Sequence, residues 1–207
     1  MAKTKSSSRW LKRQSNDPYV ARAQADGWRS RAVYKLEELD QRYQLVAKSK
    51  VIVDLGAAPG AWTQYVLSKQ GKEKKLILSL DILEMEEIDG AKLIQGDFTE
   101  DEPLQELVQL LDGAKVDLVL SDMAPNISGN RVVDQPKAMY LAELALDFAR
   151  NHLCLGGGFA VKLFQGEGYS QYISELKTSF GQVNGVKPQA SRKESREMFA
   201  VARQYRG

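Results

Sequence analysis

The chain has 207 residues, 43% of them hydrophobic, and a formal net charge of +2. This size and composition predict one globular domain with a full core and exclude a second domain of comparable size. Cys154 is the only cysteine, so a disulfide framework and a multi-cysteine metal site are also excluded. We expect a single domain over residues 1–207, in which residues 1–27 form a basic and partly flexible extension.

The small net charge conceals an asymmetry along the chain. Residues 1–50 contain 12 Lys or Arg against five Asp or Glu, and residues 187–207 contain six against two, whereas the middle is acidic. Basic ends around an acidic middle indicate that one face meets a polyanion. Aromatic side chains that could stack on bases lie among the N-terminal cations, which favours a nucleic acid. They are Trp10, Tyr19, Trp28 and Tyr34.

The hydrophobic pattern alternates helices and strands. An amphipathic helix is predicted over residues 30–46, capped by Ser30. Buried strands are predicted at 51–55, 76–81, 92–95, 117–122 and 158–164, with helices near 61–69, 103–111, 136–153 and 169–179. The tail is strand-like at 182–187 and 197–203. The pattern predicts an α/β fold with a mostly parallel, doubly wound sheet that ends in an antiparallel pair.

No apolar run approaches the length of a membrane span, and residues 1–8 lack the apolar core of a signal peptide. The cytoplasm is therefore the expected compartment.

The loop Asp54–Trp62 joins the first strand to a helix, at the place where open α/β sheets bind cofactors. Gly56 and Gly60 suit a tight turn, but Ala58 replaces the middle glycine that a dinucleotide fingerprint requires. Pro59 removes an N–H that a phosphate would need. The loop therefore favours a ligand without phosphates, and S-adenosylmethionine fits. The alternative is a tight turn with no ligand.

Aspartates lie at or just past the first four predicted strand ends: Asp54, Asp81, Asp97 and Asp122. One such residue can be a helix cap, but four in register indicate a ligand site. Asp81 is placed to accept hydrogen bonds from ribose hydroxyls, and Asp97 to reach an adenine amino group.

Lys162 lies in the middle of the fifth predicted strand, where apolar neighbours would solvate an ammonium poorly. An edge strand or a stem that reaches solvent would be the unremarkable explanation. Glu197, at the start of the last strand-like segment, is a further carboxylate candidate.

Four motifs occur in the order and spacing of one known family: Asp54–Trp62, Ser121–Asn126, Val161–Gly166 and Ser191–Glu197. From about Trp28 to Arg203 the chain resembles the FtsJ/RrmJ family. The resemblance implies a Rossmann-like, S-adenosylmethionine-dependent methyltransferase fold with a seven-stranded, mostly parallel sheet and a terminal antiparallel strand. It also implies 2′-O-methylation of a uridine in 23S rRNA, with the assembled 50S subunit as partner and a monomeric enzyme.

The resemblance also implies site residues. The catalytic tetrad falls on Lys35, Asp122, Lys162 and Glu197, and the S-adenosylmethionine contacts fall on Gly60, Trp62, Asp81, Asp97 and Asp122. Ala61 stands where the family often has a second glycine, a change that a helical residue should tolerate. Our hypothesis is that Lys162 accepts the proton of the ribose hydroxyl, because burial and the nearby Lys35 cation would favour its neutral amine.

The expected RNA contacts are basic residues of the two ends: Arg9, Lys12, Arg13, Arg29, Arg31, Arg192 and Arg196. No metal is expected, because a sulfonium already has a good leaving group. The only histidine, His152, is expected near a helix end.

Three other functions stay open at this point. A methyltransferase for the ribose of tRNA or another RNA would use the same tetrad. An inert RNA-binding assembly factor would explain the charges, although all four tetrad positions are filled. An NAD-dependent oxidoreductase is disfavoured by Ala58 and Pro59.

Overall fold

The structure is a computed structural model that describes residues 17–72 and 74–207. In those residues six helices are found: α1 Pro18–Ala25, α2 Val33–Tyr43, α3 Ala61–Ser68, α4 Asp101–Leu111, α5 Arg131–His152 and α6 Tyr169–Ser179. The strands are β1 Val51–Leu55, β2 Leu76–Asp81, β3 Lys92–Gln95, β4 Val116–Ser121, β5 Leu153–Phe164, β6 Phe180–Val186 and β7 Glu197–Tyr205. None of these helices is long and apolar enough to cross a membrane.

The seven strands form one sheet in the order β3-β2-β1-β4-β5-β7-β6. Neighbours from β3 to β5 are parallel, and β7 pairs antiparallel with both β5 and β6. This confirms the predicted mostly parallel sheet with an antiparallel pair at its end. The chain runs outward from β1 through β2 and β3 and then crosses back to β4, so a crevice opens between β1 and β4.

Helices cover both faces of the sheet. Successive residues of β1 illustrate this, since Ile52 joins one apolar cluster and Val53 the other. The cluster around Ile52 contains Leu36 and Leu39 of α2, whereas the cluster around Val53 contains residues of α4, α5 and α6. The sheet is therefore buried on both sides, as the continuous apolar strands predicted.

Several elements differ from the sequence-based expectation. Helix α2 was predicted over residues 30–46 with Ser30 as its cap, but it spans Val33–Tyr43 and its N-cap residue, Ala32, makes no side-chain cap bond. The Ser30 hydroxyl instead accepts from the Ala32 N–H at 3.2 Å, which closes a turn before the helix. Strand β5 begins at Leu153 rather than at 158. Helix α1 was not predicted, because its eight residues carry little apolar periodicity; Asp17 caps it by accepting from the Tyr19 N–H at 3.0 Å. Helix α5 begins at Arg131 rather than near residue 136. Its first turn is capped by Asn130, and Pro136 lies inside it.

Gly56 marks the closest approach of the loops that follow β1 and β4. Its φ is +75°, and a Cβ added there would lie 2.7 Å from the backbone nitrogen of Met123. Backbone atoms cannot move aside as a flexible side chain can, so only glycine allows the two loops to meet.

We therefore expect Gly56→Ala to destabilise the protein more than Gly113→Ala. Gly113 has nearly the same φ, +77°, but nothing within 4 Å of an added Cβ. The free energy of unfolding of the Gly113 variant should fall by about 1–2 kcal/mol, because alanine disfavours the left-handed conformation. The Gly56 variant should lose roughly 1–3 kcal/mol more because of the clash. Urea unfolding of both variants measures the difference, and equal losses would contradict the close approach.

Candidate active site

The backbone amides of the loop after β1 are occupied inside the protein. The N–H groups of Gly56 and Ala57 donate to Leu80 O, at 2.9 and 3.2 Å, and that of Gly60 donates to Ala57 O at 2.7 Å. The Ala58 N–H donates to Asp81 Oδ2 at 2.8 Å. Since Pro59 has no N–H, positions 56–60 offer no amide for a phosphate. The donor set therefore fits a ligand without phosphates, as the sequence predicted.

A cavity of about 620 Å³ lies at the carboxyl edge of the sheet, beside this loop. Asp81, Asp97 and Asp122 all line it, together with Gly56 and Ala58. The structure thus brings three of the predicted strand-end aspartates to one cavity. A larger hollow of about 770 Å³ is lined by residues between Leu83 and Gln95 and includes none of these aspartates, so we do not assign the site to it.

The aspartates of the cavity are held by hydrogen bonds from nearby chain. Asp81 Oδ1 accepts from the Leu83 N–H at 2.8 Å, in addition to the Ala58 bond at Oδ2. Asp97 Oδ1 accepts from the N–H and the hydroxyl of Thr99, at 2.9 and 2.8 Å. Each carboxylate has about four lone-pair positions, so both can accept further hydrogen bonds from a ligand.

Gly60 and Trp62, the other two predicted cofactor contacts, are not among the lining residues of this cavity. Trp62 is buried: its indole N–H donates to Ala32 O at 2.8 Å, and its ring centroid lies 5.7 Å from that of Phe199. Gly60 has a φ of +103° at the start of α3. Contact of these two residues with a cofactor stays a prediction.

Asp54 is buried near the end of β1. It is 1% exposed, its Oδ2 accepts from the Thr63 hydroxyl at 2.9 Å, and its Oδ1 has no hydrogen-bond partner among the described residues. Burial raises the pKa of Asp54 to about 7, and the hydrogen bond from Thr63 opposes this only in part. The charges of Asp122 and Asp81 raise it further.

The four residues of the predicted tetrad meet beside the cavity. Lys162 Nζ lies 3.0 Å from Asp122 Oδ1 and also donates to the Asp122 carbonyl oxygen. Lys35 Nζ lies 2.9 Å from Glu197 Oε1 and 3.7 Å from Asp122 Oδ1. Asp122 therefore contacts both ammonium groups, whereas Glu197 pairs with Lys35.

Four separate elements carry these side chains. Lys35 lies on α2, Asp122 follows β4, Lys162 is on β5 and Glu197 begins β7. The antiparallel register places Glu197 opposite Phe164, two residues beyond Lys162. The insertion of β7 next to β5 is thus what brings the glutamate to the carboxyl edge.

The charges of the tetrad support one another. Burial lowers the pKa of Lys35, but the Asp122 and Glu197 carboxylates outweigh it, and the pKa is raised above its ordinary value. Burial raises the pKa of Asp122, but the Lys162 and Lys35 ammonium groups outweigh it, and the pKa is lowered. At neutral pH the site therefore holds a fixed cation at Lys35 and a carboxylate at Asp122.

Residues at the start of α5 hold the loops that follow β4 and β5 in place. Asp134 accepts from the N–H and hydroxyl of Ser128 and from the Gly129 N–H, at 2.8–2.9 Å. The Gln135 amide donates to Phe164 O at 3.1 Å and to Glu167 O at 2.9 Å. The segments that follow Asp122 and Lys162 are thereby tied to one helix.

Arg29 and Arg31, two of the predicted RNA contacts, bond to other parts of the protein. The Arg29 guanidinium donates to Pro59 O, Glu86 O and Glu87 O at 2.8–3.1 Å, which ties the loop after β1 to the segment after β2. Arg31 pairs with Asp17 at 2.9 Å and donates to Ala190 O. Composition suggested these cations, but their long-range partners could not be read from the sequence.

Of the other predicted RNA contacts, Arg192 and Arg196 are partly exposed on the loop before β7. Arg192 lies 3.7 Å from Asp17, and Arg196 donates to Gln165 O at 2.9 Å. Arg9, Lys12 and Arg13 lie outside the described residues.

Three residues at the site were not predicted from the sequence. The Ser191 hydroxyl donates to Glu197. Lys137 and Tyr140 of α5 line the cavity. The signal for Ser191 was its place in the Ser191–Glu197 motif. The α5 residues gave no signal, because a helix with an aromatic and a lysine is ordinary.

Comparison with known proteins agrees with this architecture. A putative ribosomal RNA methyltransferase from Plasmodium falciparum has a similar crystal structure, with a TM-score of 0.79 and 31% identity, covering 87% of this chain and 100% of that one. The fold is thus the Rossmann-like fold of a methyltransferase.

The family model of the FtsJ-like methyltransferases matches residues 28–205. Two similar proteins are named Ribosomal RNA large subunit methyltransferase E. The one from Pseudomonas fluorescens (strain Pf0-1) is 50% identical over 207 residues, covering 100% of this chain and 99% of the relative. The one from Stenotrophomonas maltophilia (strain K279a) is 52% identical over 199 residues, covering 96% and 94%. The chain belongs to the FtsJ-like methyltransferase family.

The buried Asp54 makes stability depend on pH. Because the pKa of Asp54 is raised in the folded protein from 3.8 to about 7, its protonation stabilises the fold. This contribution is complete below the unfolded pKa and is lost as the pH rises through about 7. Asp54→Asn keeps the shape but stays neutral. Relative to wild type, its free energy of unfolding should rise between pH 4 and pH 8 by up to roughly 4 kcal/mol.

Urea unfolding of both proteins across this range measures the effect. A constant difference at every pH would contradict the assignment of Asp54 as the buried titrating group.

Proposed function

We propose that the protein transfers a methyl group from S-adenosylmethionine to the ribose 2′-hydroxyl of a uridine in 23S rRNA. The observation that carries the proposal is the joint cluster of Lys35, Asp122, Lys162 and Glu197 beside a cavity with two further carboxylates. A ribose hydroxyl is a weak nucleophile, so transfer to it requires alignment and removal of a proton. A buried lysine held by a carboxylate can provide both.

The cavity suits the proposed cofactor chemically. Asp81 is assigned to the ribose hydroxyls and Asp97 to the adenine amino group, since both retain acceptor capacity. Positions 56–60, whose amides are occupied or absent, offer no donor to a phosphate, and neighbouring carboxylates favour a cationic ligand. When bound, S-adenosylmethionine supplies a methyl group on a sulfonium, whose leaving group needs no further activation.

Lys162 is assigned as the proton acceptor. Asp122 orients its Nζ from 3.0 Å, and the Lys35 cation, 3.7 Å from the same carboxylate oxygen, weakens the pull of that carboxylate on the Lys162 proton. Lys35 keeps its own charge because two carboxylates stabilise it. After the Lys162 ammonium has released a proton to solvent, its amine can accept the hydroxyl proton.

Ribosomal RNA as the substrate is supported by the names of the relatives and by the basic ends of the chain. The proposal includes the assembled 50S subunit as the partner, and a monomeric enzyme in the cytoplasm. The basic residues of the two chain ends would contact the sugar-phosphate backbone and orient the target strand without reading its bases.

The substrate is tested with labelled S-adenosylmethionine and three acceptors: naked 23S rRNA, 50S subunits that lack the modification, and tRNA. We expect transfer to the subunits, at a single nucleotide. Label on tRNA alone would support the transfer-RNA alternative. Absence of label on all three would favour the inert assembly factor and contradict the proposal.

The role of Lys162 is tested by Lys162→Ala. Removal of a general base should lower turnover by on the order of 100-fold or more. Affinity for S-adenosylmethionine should change little, because Lys162 is not a lining residue of the cavity. Lys177→Ala, which removes an exposed lysine of α6, is the matched control and should methylate as wild type does. Near-normal turnover of the Lys162 variant would contradict its assignment as the base.

A further inference from the structure

Residues 187–196, between β6 and β7, form a strap that one face of α2 and the turn before it hold in place. Arg31 donates to Ala190 O, Lys35 donates to Glu197, and Glu38 Oε2 accepts from the Gln189 N–H at 2.6 Å. Lys35 and Glu38 are three residues apart on α2, so their side chains lie on one side of that helix. The element that carries a tetrad lysine therefore also fixes the strap beside the tetrad.

Ser191 is the strap residue that reaches the tetrad. It is 6% exposed, its N–H donates to Pro188 O at 2.9 Å, and its hydroxyl donates to Glu197 Oε1 at 2.8 Å. The same carboxylate oxygen lies 2.9 Å from Lys35 Nζ. The Ser191 hydroxyl and the Lys35 ammonium, which also lies 3.0 Å from Glu197 Oε2, thus both hold the Glu197 carboxylate.

In this arrangement Lys162 pairs with Asp122, whereas Glu197 pairs with Lys35. Within residues 17–72 and 74–207, no ion pair joins Lys162 to Glu197, although both lie at the same edge of the sheet. The side chain of Lys162 contacts one carboxylate, that of Asp122. A second carboxylate on Lys162 would stabilise its ammonium form and make it a poorer proton acceptor.

We propose that Ser191 is a positioning residue that keeps the Glu197 carboxylate on Lys35 and away from Lys162. This inference rests on the proposed function, because it assumes that Lys162 accepts the proton. Without the hydroxyl, the Lys35 ammonium, 2.9 and 3.0 Å from the two carboxylate oxygens, alone holds Glu197, and the carboxylate can move with it toward Lys162. The serine then acts through Glu197 on the base and does not touch the substrate.

The pH dependence of kcat tests this role. On the acidic limb of the profile, kcat falls as the pH is lowered. In Ser191→Ala this limb should move to higher pH by about 0.5–1 unit, so that kcat on the limb falls by roughly three- to tenfold. Ser191→Thr keeps a hydroxyl and should restore the limb. Ser191→Cys, with a weak donor of similar size, should fall between, and it serves as the second variant if the alanine protein does not fold.

Ser195→Ala is the matched control. The Ser195 hydroxyl accepts from the backbone N–H of Glu197 at 3.1 Å, so its loss perturbs the same residue without freeing the carboxylate. Its acidic limb should stay at the wild-type position. An unmoved limb in the folded alanine or cysteine variant, or the same shift in Ser195→Ala, would overturn the role of Ser191.

The two proposals fail differently. If wild type transfers no methyl group to ribose, or if Lys162→Ala retains turnover, the proposed function is wrong. If wild type is active, Lys162→Ala is inactive and the limb of the Ser191 variants does not move, only the inference about Ser191 is wrong.

Discussion

A carboxylate shared by two lysines is the interaction on which the site depends. Asp122 Oδ1 lies 3.0 Å from Lys162 Nζ and 3.7 Å from Lys35 Nζ, and the Lys162 side chain is only 7% exposed. A buried ammonium without a partner would lose its proton or destabilise the fold by several kcal/mol. Asp122 makes the burial of both lysines possible, and Glu197 balances the second positive charge.

The fold provides this arrangement through the edges of its strands. Parallel strands end at one edge, so the aspartates at or just past the ends of β2, β3 and β4 line one cavity. The antiparallel β7 enters beside β5 and brings Glu197 to that edge. Gly56 allows the loops that follow β1 and β4 to approach each other, which brings the loop after β1 close to Asp122.

The sequence predicted what depends on local pattern. Strands β1, β2 and β3 have the predicted bounds, since short apolar runs with polar flanks define them. Lys162 was found because a lysine within an apolar strand is unusual. What escaped prediction depends on distant partners: Arg31 bonds to Ala190, 159 positions away, and the Trp62 ring packs against Phe199. Neither contact leaves a trace in composition or periodicity.

We propose that this site methylates a ribose hydroxyl. Nucleoside mass spectrometry of 23S rRNA from methylated 50S subunits tests it most directly, because it locates the added methyl group on the sugar or on the base. We expect 2′-O-methyluridine. It should lie in a dinucleotide that resists alkaline cleavage, because its 2′-oxygen is blocked. A methyl group on the base, in RNA that alkali still cleaves at that position, would contradict it.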